Sequence, residues 1–117
     1  MAADPRVRLH DILAAIAGAR EAIGDADFAT YCKRRPMKRA VEREIEIVSE
    51  ASRRIAQGLK STEPGIPWHE IAGIGNVLRH EYEVVSDPVV WNVVHEYLPA
   101  LESAVQRMLQ RLGSRDR

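Results

Sequence analysis

The sequence predicts an all-α protein, an antiparallel bundle of four to five helices. Three observations lead there. Apolar residues recur at spacings of three and four in every long segment. No segment alternates apolar and polar residues with the period of a strand. The periodic runs are bounded by helix punctuation: Asp4-Pro5, Gly24, Pro36, Gly58, Pro67 and Asp87-Pro88. At 117 residues the chain is expected to form one domain, 1–117, with about 113–117 as a frayed tail. A chain of this size buries about two-thirds of its unfolded surface and folds without staples.

The first helix starts at Pro5 with Asp4 as its N-cap. Its stripe is Leu9, Ile12, Leu13, Ile16, Ala19 and Ile23, and Gly24 ends it. Residues 25–32, with Phe28 and Tyr31, form a turn or a short helical piece. After Pro36 a second long helix is expected from Met37 to Gln57, with Val41, Ile45, Val48, Ala51, Ser52 and Ile55 inward. Its outer faces alternate Glu42, Glu46 and Glu50 with Arg39, Arg43, Arg53 and Arg54, which supports ion pairs along the helix. Ser61 to Gly65 is a loop. A central helix follows from Ile66-Pro67-Trp68 to Tyr82, with Ile71, Ile74 and Leu78 inward and Pro67 just inside its start. Asp87-Pro88 starts another helix, with Val90, Trp91, Val94 and Leu98 on its apolar side. Leu98-Pro99 breaks or kinks it, and Leu101, Val105, Met108, Leu109 and Leu112 form the last stripe.

Composition excludes several classes of function. Lys plus Arg and Asp plus Glu number 17 each, so bulk charge attracts no polyanion and any affinity for nucleic acid must come from a local patch. No apolar run approaches the roughly 20 residues of a membrane span. The opening Met-Ala-Ala-Asp-Pro-Arg-Val-Arg has no signal-peptide core, and the one cysteine, Cys32, has no partner for an internal disulfide. Together these predict a cytoplasmic protein. His69, His80 and His95 are each followed by Glu, yet none completes His-Glu-x-x-His, because the second His position holds Gly73, Val84 or Pro99. One cysteine also removes the thiolate zinc sites, so no metal or other cofactor is expected. Gly73-Ile74-Gly75 lacks the third glycine and the preceding strand of a phosphate-binding loop. Cys32 has no neighbouring activator and is expected to be an inert, partly buried thiol.

Chemistry concentrates in the central helix. Asn76, Arg79, His80, Glu81 and Tyr82 crowd an amide, a guanidinium, an imidazole, a carboxylate and a phenol together. Asn76 and His80 are four apart and share a helix face; Arg79 and Tyr82 are three apart and share the next. Gly73 and Gly75 each cost roughly 1 kcal/mol inside a helix, which points to close approach of another backbone or a ligand. The second His-Glu-Tyr, at His95 to Tyr97, has no such neighbours and is expected to be structural, with Tyr97 packed under the bundle. A basic stretch, Lys33, Arg34, Arg35, Lys38, Arg39 and Arg43, is either a solvated connector and helix face or a phosphate-facing patch.

These motifs resemble the HepT-like toxins of the HEPN superfamily over nearly the whole chain. Ala40-Val41-Glu42-Arg43 through Ser49-Glu50-Ala51 is similar to the family's second helix, with Ser49 where Gly is common. Ile66-Pro67-Trp68 and Gly75-Asn76 through His80-Glu81-Tyr82 resemble its Ile-Pro-Trp and Arg-Asn-x-x-x-His-x-Tyr motifs. Val90-Trp91 and Leu98-Pro99 match its later helix. The resemblance implies a HEPN-like helical fold and a homodimeric, metal-independent ribonuclease of the type VII toxin–antitoxin class. It also implies a minimal nucleotidyltransferase (MNT) antitoxin that silences the toxin by adding AMP to a tyrosine. By position, His80 would be the acid/base, Asn76 its support and Tyr82 the modified phenol.

One position departs from the pattern: Gly75 stands where the family carries its Arg. Arg79 is the nearest cation, but adjacent residues on a helix are turned about 100° apart. Either Arg79 takes that role, from this chain or its partner subunit, or cleavage is weak and the protein is a HEPN binding module that holds a nucleotidyltransferase or a nucleotide. In the cleaving case RNA brings its own nucleophile, the 2′-OH. Imidazole moves the protons, guanidinium steadies the phosphate, and the product ends in a 2′,3′-cyclic phosphate.

Overall fold

Helix α1 spans Pro5–Ile23, and Asp4 caps it as expected, its carboxylate accepting the Arg6 amide at 3.0 Å. Gly24 ends it at φ 58°, a conformation that side chains with a Cβ rarely adopt. The structure, a computed structural model, describes residues 4–80 and 86–115, with Arg79, His80, Ser114 and Arg115 in backbone alone. The short α2, Phe28–Lys33, is capped by Asp27, which accepts the Thr30 amide at 2.8 Å.

Helix α3 is Arg35–Arg53, so it begins two residues before the expected start and stops four short of Gln57. Pro36 sits inside its first turn, where a missing N–H costs nothing. At its other end the Ser52 hydroxyl donates to the Ser49 carbonyl at 2.7 Å and competes for the acceptor that the last turn needs. The chain then turns so that Ile55 enters the core, and α4, Gln57–Lys60, follows.

Helix α5, Trp68–His80, carries the candidate site. Pro67 lies one residue before it and its carbonyl accepts the Ile71 amide at 3.1 Å. Helix α6, Asp87–Asn92, has Ser86 as its cap and Pro88 in its first turn. It runs through a π-turn, Val93–Tyr97, into α7, Leu98–Arg115. Leu98-Pro99 therefore does not break the helix. A proline ring clashes with the carbonyl four residues back. The widened turn, in which the Leu98 amide donates to the Val93 carbonyl five residues back, lets the helix pass the proline. Helix α7 also continues through Gly113 to Arg115, past the expected start of the tail, since one glycine weakens a helix without stopping it.

The bundle is antiparallel where its contacts can be traced. Arg20, late in α1, bonds Glu102, early in α7, at 2.8 Å. Arg8 of α1 and Arg54 after α3 line one groove at the opposite end. Arg53 and Ser49 of α3 reach Ala72 of α5, while Arg35 and Arg39 lie beside Leu78. The core is the expected stripes: Leu9, Ile12 and Ile16 of α1, Val41, Ile45 and Val48 of α3, Ile71 and Leu78 of α5, and Leu101, Val105 and Met108 of α7 are buried. The fold is all-α, and the described residues include no strand and no helix long and apolar enough to cross a membrane.

Candidate functional site

Helix α5 has two sides. Its inner side is bonded to α3. The Ser49 hydroxyl donates to the Ala72 carbonyl at 2.8 Å and accepts the Gly75 amide at 3.2 Å. Arg53 adds two bonds to the same carbonyl, at 3.0 and 2.8 Å. A Cβ placed on Gly75 would lie 2.5 Å from the Ser49 hydroxyl oxygen and 2.6 Å from its Cβ. The close approach expected at the glycine pair is thus found at Gly75, and the approaching group is α3. The outer side is open: a Cβ on Gly73 would meet nothing within 4 Å, and His69 and Asn76 are exposed. His69, Gly73 and Asn76 follow one another at helical spacing, and the His80 backbone lies one turn beyond Asn76 at the end of α5.

The sequence-derived site residues fall as follows. Asn76 is on the open side of α5. Arg79 and His80 are its last two residues. Tyr82, with Glu81, lies outside the described residues. The basic stretch does not form one patch. Lys33, Arg34 and Arg35 border a hollow with Ala22 and Met37 at the α2–α3 junction. Arg35 and Arg39, with Glu42 and Leu78, line a depression against the C-terminal part of α5. Lys38 turns to Asp87 of α6 at 3.2 Å. Arg43 lines a separate groove with Arg8, Asp11, Glu46 and Glu50. Arg39 also donates to Glu42 at 2.9 Å. Glu50 is exposed and paired with Arg54 at 3.3 Å, the solvated role expected of it.

Next to α6 the side chains are structural. Phe28, Tyr31 and Trp91 form an aromatic cluster with centroids 5.4 Å apart for each contact to Trp91, and His95 stacks on Trp91 at 4.2 Å. Burial first, then the Glu42 and Asp87 carboxylates, push the Tyr31 phenol above its ordinary range. Burial, with Asp87 beside it, also raises the Cys32 thiol, which disfavours the nucleophilic thiolate. Tyr97 is 37% exposed rather than packed under the bundle. The π-turn that carries it offsets the helix register by one residue, so it borders an apolar cavity of about 400 Å3 with Ile74, Val89 and Val93. Among the described residues, no three His, Cys, Asp or Glu side chains gather as a metal-binding group.

Two features were not foreseen from the sequence. Glu63, from the loop before α5, is buried and held by Arg107 at 2.7 Å and Arg111 at 2.6 Å. Hydrogen bonds from Arg107 and then Arg111 draw its carboxyl down to about 2. Ser49 is the other, since its bonds to α5 span 23 and 26 residues. A charged residue inside a loop and a serine on an apolar stripe were the only signals of them.

The molecule is an all-helical bundle with the candidate residues on the open side of one helix, and sequence comparison identifies the family. The family model described as Ribonuclease HepT-like matches residues 12–108, and the chain belongs to that family. A Methanocaldococcus jannaschii chain provisionally named an RNase is 31% identical over 103 residues, covering 88% of this chain and 94% of the other. A chain from Caldanaerobacter subterraneus subsp. tengcongensis, also provisionally named an RNase, is 31% identical over 107 residues, 92% of this chain and 96% of the other. The probable ribonuclease HepT of Thermococcus cleftensis is 33% identical over 100 residues, 86% of this chain and 91% of the other. No solved structure matches significantly.

Proposed function

We propose that this chain is the toxin of a type VII HepT/MNT toxin–antitoxin pair, a metal-independent endoribonuclease that acts in the cytoplasm as a homodimer. Membership of the HepT-like ribonuclease family carries the reading, and the open side of α5 leading through Asn76 to His80 supports it. His80 takes the proton of the RNA 2′-OH, or delivers one to the leaving 5′-oxygen. Imidazole is suited to both because its ordinary pKa lies near neutrality. Asn76 orients the substrate, and Arg79 is the cation nearest to His80 in the chain. The 2′-oxygen bonds to phosphorus as the 5′-oxygen leaves, which gives a 2′,3′-cyclic phosphate.

Silencing follows from adding AMP to Tyr82, two residues beyond His80, by a partner nucleotidyltransferase. The adduct brings negative charge and bulk to the place an RNA backbone must enter. Tyr82→Phe is expected to stay toxic when the partner is co-expressed; full silencing of that variant would refute the modification.

The deciding assay is cleavage of a mixed RNA pool in EDTA by the purified, unmodified chain, alongside His80→Ala. Cyclic-phosphate ends from the wild type and none from the variant are expected. A silent wild type, with unmodified Tyr82 confirmed by mass, would favour a second reading. In that reading the chain is a weakly catalytic HEPN module that holds the nucleotidyltransferase or a nucleotide. The packing of Gly75 on Ser49 favours it, because no side chain for phosphate fits there.

A further inference from the structure

We propose that Lys33, Arg34 and Arg35 form a docking patch for the backbone of single-stranded RNA, apart from the reacting atoms. The choice of ligand rests on the ribonuclease reading. Most cations of this neutral chain are matched: Arg20, Lys38, Arg39, Arg54, Arg107 and Arg111 each meet a carboxylate. Lys33, Arg34 and Arg35 are exposed, and among the described residues no carboxylate pairs with them. Their charge does little for the fold. Three adjacent like charges repel one another, and Arg34 and Arg35 stand at the start of α3, where the helix dipole disfavours cations. A counter-charge from outside the chain relieves both.

The α2–α3 junction presents the three on a fixed frame. Lys33 closes α2, Arg34 is extended at φ −106° and ψ 92°, and Arg35 opens α3. The Arg34 amide donates to the Tyr31 carbonyl at 3.2 Å, the Arg34 carbonyl accepts the Lys38 amide at 3.0 Å, and Tyr31 is buried. All three side chains border a hollow of about 670 Å3 floored by Ala22, Met37 and Ala40. A basic rim over an apolar floor suits an unpaired strand, whose phosphates meet the rim while a base face covers the floor. A duplex keeps its base faces stacked inside, and a surface carboxylate brings no apolar face to the floor. The lining holds no amide, hydroxyl or carboxylate side chain that could read a base edge, so the contact carries no base preference.

The test uses the intact chain with Lys33, Arg34 and Arg35 replaced by Gln together. Beside it stand Ala40→Glu, which keeps the cations and puts a carboxylate on the floor, and Arg54→Gln, a control beyond the far end of α3. Each is assayed for binding of a fluorescent single-stranded 2′-O-methyl RNA, which has no nucleophile, across a salt series, and for cleavage of RNA in EDTA. The triple variant is expected to flatten the salt slope by about 2, roughly 0.7 per cation, and to bind on the order of 10²-fold more weakly at about 0.1 M salt, with the difference vanishing toward about 1 M. Its KM rises and its kcat stays, because the patch does not touch the reacting atoms. Ala40→Glu weakens binding in the same direction, and Arg54→Gln changes neither binding nor cleavage. Wild-type affinity and slope in both the triple variant and Ala40→Glu would overturn the proposal, while cleavage by the wild type would leave the ribonuclease reading standing. Loss of binding to a partner nucleotidyltransferase, with RNA binding intact, would overturn it in favour of a protein surface. If the wild type never cleaves but the triple variant still flattens the salt slope, the patch stands and the ribonuclease reading falls.

Discussion

At Gly75, where the resemblance implies an arginine, space as well as sequence keeps a side chain out. Ser49 fills the volume that any side chain at position 75 would enter. Gly75→Ala is therefore expected to destabilise by roughly 1–3 kcal/mol, the usual cost of overpacking, despite the better helix propensity of alanine. Urea titration measures it. Ser49→Gly gives up two hydrogen bonds, at about 1 kcal/mol each. In a double-mutant cycle the pair should cost less than the sum, since the second change removes the clash of the first. Ser49→Gly with Gly75→Arg is expected to cleave RNA faster than the wild type; equal or slower cleavage by a folded double variant would separate position 75 from catalysis.

The start of α5 is fixed from outside the helix. The Trp68 indole donates to the carbonyls of Lys60 and Glu63, both at 3.1 Å, and Glu63 is held by Arg107 and Arg111 of α7. Trp68→Phe keeps most of the apolar area and loses both bonds, so a loss of about 1–2 kcal/mol is expected. Glu63 adds a pH dependence. Its folded carboxyl, at about 2, lies below the ordinary 4.5, so it stabilises the fold above about pH 4.5, and that contribution fades as pH falls from there toward 2. Glu63→Gln should melt lower at neutral pH by roughly 2 kcal/mol of stability and lose less on acidification; an unchanged acid limb in thermal melts would assign the effect to other groups. Features set by nearby residues were legible in the sequence: the Asp4 cap, the Gly24 stop and the stripes of α1 and α3. The π-turn was not, because Pro99 announces an obstacle without saying whether the helix stops or widens. The partners of Glu63 were hidden for another reason, lying 44 and 48 residues away.

Across the molecule, the arrangement that makes the fold also sorts the charges. Helix α5 packs on α3 and leaves its other side open, so Gly73 and Asn76 are presented outward while Gly75 is spent on the interior. A sequence shows six basic residues in a row of eleven; only packing divides them among the α2–α3 junction, α5, α6 and the α1 groove. The bundle and its core could be read beforehand, since they follow from period and composition. Which glycine faced inward could not, because Gly73 and Gly75 differ only in register against another helix. The proposed homodimer has its own check: sedimentation equilibrium should return twice the mass of one chain, and a monomer at every concentration would leave each site to a single subunit.

The contact between Ser49 and Gly75 also constrains the protein's history. A glycine codon can become an arginine codon by one base change, so the arginine that the resemblance implies lies genetically close. While Ser49 remains, that single step drives a side chain into Ser49 and is expected to destabilise the fold. Reversal is open only along a path in which position 49 shrinks first. The two residues act as a ratchet, and lineages that hold serine at the first position should rarely be found with arginine at the second.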